Sequence, residues 1–132
     1  MKTTVGLWID HRKAVIVFVT GQEEEIKLIS SDIEKSHGLS GASVRADDVR
    51  QRVLTEHLNN YYDEVIASLR QAEAVLLMGP GEAKGELKKR LERHPRNGRL
   101  IEVETVDKMT EPQIVAQVRE YARQQSAAGG AL

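Results

Sequence analysis

Ala74–Arg93 reads AVLLMGPGEAKGELKKRLER: an apolar run, a Gly-Pro-Gly break, then a helical pattern crowded with lysine and arginine. A short unbroken apolar run between turn signals is the mark of a strand buried on both faces, as parallel strands are. Gly79 and Gly81 allow a sharp exit from it. A helix opening just past a strand aims its unpaired N–H groups at the crevice beyond the sheet, which makes Gly79 and Gly81 candidates for an anion-binding turn. The turn matches neither G-x-x-x-x-G-K-S/T nor G-x-G-x-x-G, and a tight strand-to-helix connection explains it more simply.

Upstream, Val5–Asp10 (VGLWID) alternates, with Val5, Leu7 and Ile9 on one face and Trp8 on the other. Polar Asp10, His11, Arg12 and Lys13 separate it from the β-branched run Ala14–Val19, as in a hairpin. Gly21 and Gln22 make a second turn into Glu25–Ser30, which follows consecutive glutamates as an edge strand would. The result is a three-stranded antiparallel meander. Ser31–Arg45 is rich in Ser and Gly and reads as a long loop of the kind that is functional or disordered. Asp47–Arg70 then carries two adjacent i+4 ridges, one through Val49, Val53, His57, Tyr61, Val65 and Leu69, the other through Leu54, Leu58, Tyr62 and Ile66. This is a long amphipathic helix with a wide buried face.

Downstream of the basic helix, His94-Pro95 is a stop and Asn97-Gly98 a turn into the strand Leu100–Val106. Thr110 and Gln113 form a capping-box pair with Met109 and Ile114 placed as a hydrophobic staple. The helix that starts there turns Ile114, Val115, Val118, Tyr121 and Ala122 one way, and residues 126–132 are expected to be a disordered tail. A meander followed by two helical crossovers gives an α/β fold of ribonuclease H-like layout: a five-stranded mixed sheet, helices on both faces, the first strand and the Val75 strand at its centre. Residues 1–125 form a single domain, in keeping with a chain of 132 residues.

Composition narrows the chemistry. With no cysteine, the chain has no thiol nucleophile, thiolate ligand or disulfide. No apolar run reaches membrane-spanning length and no secretory pattern opens the chain, so a cytoplasmic location without membrane contact is expected. Histidines 11, 37, 57 and 94 show no ligand spacing, and neither a metal nor a cofactor is expected. A ribonuclease H-like fold raises the alternative of a metal-dependent nuclease using Asp10, but the companion carboxylates such a site needs are missing, and Asp10 is better read as a turn residue. A net charge of −1 gives no general attraction to nucleic acid, and DNA is not expected as a partner. Locally the balance differs: from Lys84 to Arg99 stand seven bases against two acids, more than helix pairing requires. A polyanion surface is the reading, and the scarcity of aromatic residues points to phosphate and shape rather than stacked bases.

The opening hairpin GLWIDHRKAVIVFV, a polar loop with Lys35, His37 and Gly38 before a long helix, and VLLMGPGEAKGELKKRL together resemble the central domain of eukaryotic and archaeal class-1 release factors and of Pelota, from about Val5 to Tyr121. In the release factors the matching loop carries Gly-Gly-Gln, which promotes ester hydrolysis at the ribosome; here it reads His37-Gly38-Leu39-Ser40-Gly41-Ala42-Ser43, and the catalytic residues do not carry over. The resemblance implies a non-enzymatic, translation-associated module that contacts ribosomal RNA or tRNA. Lys35, His37, Arg45, Arg50 and Arg52 would form one contact surface and Lys84, Lys88 and Lys89 a second. A protein-interaction or self-associating module using the edge strand near Ile26–Ile29 is a further alternative.

Overall fold

Alternating residues near the N-terminus make three strands joined by tight polar turns: Thr3–Ile9 (β1), Lys13–Thr20 (β2) and Glu23–Ser30 (β3). They pair antiparallel in sequence order, as the meander requires. The Asp10 carboxylate closes the first turn by accepting from the Arg12 and Lys13 N–H groups, both at 2.8 Å. In the second, Gly21 takes a φ of 64°, open to a residue without Cβ. The computed structural model describes residues 3–31, 47–93 and 100–130. Most of the loop read over Ser31–Arg45, and with it Lys35, His37 and Arg45, lies outside these residues, as do the His94-Pro95 stop and the Asn97-Gly98 turn.

The remaining elements are Asp47–Ser68 (α1), Ala74–Gly79 (β4), Ala83–Glu92 (α2), Leu100–Thr105 (β5) and Glu111–Gly130 (α3). β4 pairs parallel with β1 on one side and with β5 on the other, giving the sheet order β3-β2-β1-β4-β5. All six residues of β4 are buried, which is why its sequence is apolar without alternation. The observed fold is therefore the five-stranded mixed sheet, with β1 central and β4 beside it.

Helices cover both faces. Val5, Leu7 and Ile9 of β1 join Tyr61, Tyr62 and Val65 of α1, Leu69 just past its end, and Ala83, Leu87 and Leu91 of α2 in one core. The second core places Trp8, Val15, Val17, Leu76 and Met78 under Ile114, Val118 and Tyr121 of α3. The approach of α3 is close: a Cβ on Gly6 of β1 would come within 2.3 Å of Val118 Cγ2.

The capping box at α3 is formed in both directions. The Thr110 N–H donates to Gln113 Oε1 at 2.9 Å and the Gln113 N–H to Thr110 Oγ1 at 3.3 Å. Thr110→Ala removes one acceptor and is expected to lower stability by about 1 kcal/mol, measured by urea denaturation. At its other end α3 runs to Gly130, so that helix continues into the segment read as a tail. Ala127 and Ala128 favour helix strongly enough to carry an already formed helix forward.

Candidate nucleic-acid surface

β1 and β4 run parallel and so end at the same edge of the sheet, where the Asp10 turn, the Gly79-Pro80-Gly81 turn and the start of α2 meet. Gly79 is glycine for a steric reason: a Cβ there would lie 2.4 Å from the Ile9 carbonyl oxygen, so no side chain fits between the strand ends. Gly81 has open space around it. Lys84, only 8% exposed, folds back so that its ammonium donates to the Gly81 carbonyl at 2.7 Å. That contact occupies the base nearest the turn and ties the turn to the first turn of α2.

Two adjacent tyrosines of α1 reach the same edge. The Tyr61 hydroxyl donates to the Asp10 carbonyl at 2.9 Å and the Tyr62 hydroxyl to Glu86 Oε1 at 2.5 Å, with His11 Nε2 3.3 Å from that same oxygen. Their rings lie 5.4 Å apart, tilted by 33°. Burial pushes both hydroxyls well above the ordinary tyrosine range. The Asp10 charge adds to this at Tyr61, and the Glu86 hydrogen bond at Tyr62, where Arg90 pulls weakly the other way. This His11, Tyr61, Tyr62 and Glu86 network was not legible as a unit, because its members are separated by up to 75 positions. The adjacent aromatics on the helix ridges were its only signal.

From Tyr61 the helix crosses the sheet from the end of β1 to its beginning, where the Glu73 N–H donates to the Thr3 carbonyl. Residues ahead of Tyr61 lie past that crossing, and Arg52, Thr55, Glu56, Asn59 and Asn60 are exposed. At 1.5 Å per residue, the stretch from Asp47 to Asn60 gives α1 about 20 Å of helix before its first buried tyrosine. Arg52 is thus presented to solvent; Arg50 lies in the same first half of α1.

Structure also sorts the bases of α2. Arg90 is turned to α1, where it pairs with the Asp63 carboxylate and donates to Asn59 Oδ1 at 3.3 Å. Lys89 and Arg93 are exposed and Lys88 half-buried. The accessible positive charge of α2 and its C-cap is therefore narrower than the sequence: Lys88, Lys89 and Arg93.

For Asp10, both backbone contacts to its carboxylate agree with a turn residue. Among the described residues, no group of three or more His, Asp or Glu side chains could hold a metal ion.

No family model matches the sequence, and no curated protein matches it. Solved structures do. The chain resembles the Pelota protein of Thermoplasma acidophilum with a TM-score of 0.55 at 12% identity, over 88% of this chain and 31% of that one. It resembles Pelota of Archaeoglobus fulgidus with a TM-score of 0.50 at 17% identity, over 96% of this chain and 37% of that one. An archaeal translation termination factor follows at 0.48 and 15% identity, over 97% of this chain and 42% of that one, too loose a likeness to carry weight. The chain spans about a third of the length of the two Pelota structures. The resemblance read from GLWIDHRKAVIVFV and VLLMGPGEAKGELKKRL thus holds as a likeness of fold. Among the described residues, no helix is long and apolar enough to cross a membrane.

Proposed function

We propose that this protein is a translation-associated module that binds ribosomal RNA or tRNA through phosphate contacts and carries out no hydrolysis of its own. The observation that carries the reading is the outward basic face of α2, Lys88, Lys89 and Arg93, on a fold shared with Pelota. Arg52, exposed on α1, is a further base of the contact surface, to which Lys35, His37, Arg45 and Arg50 are also assigned. Lys84 serves the turn instead, since its ammonium is held by the Gly81 carbonyl. Gly79 has a steric explanation and the Gly81 carbonyl a partner in Lys84, and phosphate contact is assigned to the side chains of α2 rather than to the turn.

Point charges on flexible stems suit phosphate, whose contacts give affinity without sequence preference. The module should therefore sediment with ribosomes and dissociate as salt is raised. The Lys88→Glu/Lys89→Glu double variant is expected to lose most of that association while keeping its fold, because Lys89 is exposed and Lys88 half-buried at the helix surface. Association that ignores both salt and the double reversal would overturn the reading.

A further inference from the structure

Among the described residues, β3 has a neighbouring strand on one side only. Its outer side is defined by the hairpin: with only Gly21 and Gln22 between Thr20 and Glu23, those two residues form a hydrogen-bonded pair. Glu23, Glu25, Lys27 and Ile29 therefore turn their backbone groups toward β2, a parity continued by Ser31, whose N–H donates to the Arg12 carbonyl at 2.9 Å. Glu24, Ile26, Leu28 and Ser30 turn theirs outward. On the same strand Ile26 and Leu28 are 43% and 66% exposed, on the face shared with α3. An edge whose outward backbone groups face no strand among the described residues, with adjacent exposed apolar side chains, is a template for another strand.

We propose that β3 pairs with β3 of a second copy, antiparallel about a two-fold axis at Ile26, so that one sheet runs through both molecules. Outward-facing backbone groups must meet outward-facing ones, which leaves few registers. Centred on Glu25 or on Lys27, the pairing sets like charges opposite each other. Centred on Leu28, it sets Lys27 opposite Ile29. Centred on Ile26, it places Glu25 opposite Lys27 of the second copy, and does so twice by symmetry. These two pairs fall at non-hydrogen-bonded positions, where facing side chains approach most closely. Ile26 meets its own copy at the axis, with Leu28 of each molecule beside it on the α3 face. Glu24 is already answered within the chain by Arg119, whose Nε lies 2.6 Å from Glu24 Oε2. The opposite edge offers no such match, because β5 carries Glu102 and Glu104 and no base. The charge pattern thus favours self-pairing at one edge and discourages it at the other.

Sedimentation velocity on the full chain over a concentration series should show a monomer–dimer equilibrium. Glu25→Lys and Lys27→Glu each set like charges at both symmetric positions and are expected to weaken the dimer about thirtyfold, given the usual size of cross-strand charge pairs. Each variant supplies the charges the other lacks, so an equimolar mixture should form a heterodimer of wild-type affinity. The Glu25→Lys/Lys27→Glu swap in one chain should restore the homodimer, and it separates loss of pairing from loss of fold. A wild-type chain that stays monomeric at its highest soluble concentration would overturn the proposal. So would a dimer indifferent to both reversals, or a mixture that forms no heterodimer.

Discussion

Brought from neutral pH to about pH 12, the protein is expected to unfold in one transition in which its tyrosines ionise together. All three tyrosines of the chain, Tyr61, Tyr62 and Tyr121, are buried. Burial raises each hydroxyl, that of Tyr121 being pushed up to about 12, with the Glu102 charge adding to the effect. The sign follows from which state holds the proton. An unfolded tyrosine ionises near its ordinary value of about 10 while the folded one stays neutral, so the native state binds more protons above that pH. The stabilisation is complete below about pH 10 and is lost as pH rises toward the folded values. For Tyr121 the loss by about pH 12 is roughly 2 kcal/mol, from about 1.4 kcal/mol per pH unit and half-ionisation of the folded hydroxyl at that pH. The two tyrosines at the strand ends, raised further, steepen the decline. Together they can exhaust the stability of an ordinary domain within a few pH units.

Tyrosinate absorbance and far-ultraviolet circular dichroism should therefore change with the same midpoint. Tyr121→Phe removes a hydroxyl whose contact to the Val75 carbonyl is long, at 3.5 Å, and should flatten the alkaline decline with little effect at neutral pH. Tyrosinate forming near pH 10 in a chain that keeps its circular dichroism would contradict the burial of these side chains.

The second large effect is expected from a single methyl group. Gly6→Ala would put its Cβ 2.3 Å from Val118 Cγ2 and 3.0 Å from Cγ1. Val118 cannot swing away easily, since a β-branched side chain in a helix has one strongly preferred rotamer. The α3 helix must shift off β1, at a cost of about 2–3 kcal/mol. Val118→Ala removes both Cγ atoms, leaving the nearest remaining side-chain atom, Cβ, at 3.1 Å. The double variant should consequently be more stable than the sum of the two single losses predicts, by about 1–2 kcal/mol in a double-mutant cycle. Gly79→Ala makes a useful contrast. Its obstacle is the Ile9 carbonyl oxygen, a backbone atom between paired strands, so its loss should be at least as large and no side-chain truncation should restore it. Additive behaviour of Gly6→Ala and Val118→Ala would show that α3 does not rest on β1 at this point.

These contacts mark where the sequence stops being legible. Alternation in VGLWID placed Val5, Leu7 and Ile9 in one core and Trp8 in the other, because the period of a strand is set by its own backbone. Helix ridges likewise gave Tyr61, Tyr62, Val65 and Leu69 as buried, and the Thr110–Gln113 box gave the start of α3. Reasons that lie across the fold were out of reach. Gly6 is small because a helix more than a hundred residues later lies on it, and Gly79 because two strands end together. The partners of two bases in the run lay equally out of reach: Arg90 is answered by Asp63 of α1 and Lys84 by a carbonyl three residues back. Among the described residues of that run, Lys88, Lys89 and Arg93 keep their charge exposed or half-exposed.

The most direct test of the proposed role is the salt dependence of binding to purified ribosomes, compared between the wild-type chain and the Lys88→Glu/Lys89→Glu variant. If these lysines contact phosphate, the wild type should lose affinity linearly in log salt, and the variant should bind more weakly with a slope shallower by about one for each lysine removed. Equal slopes for the two chains, or an affinity that does not change with salt, would contradict it.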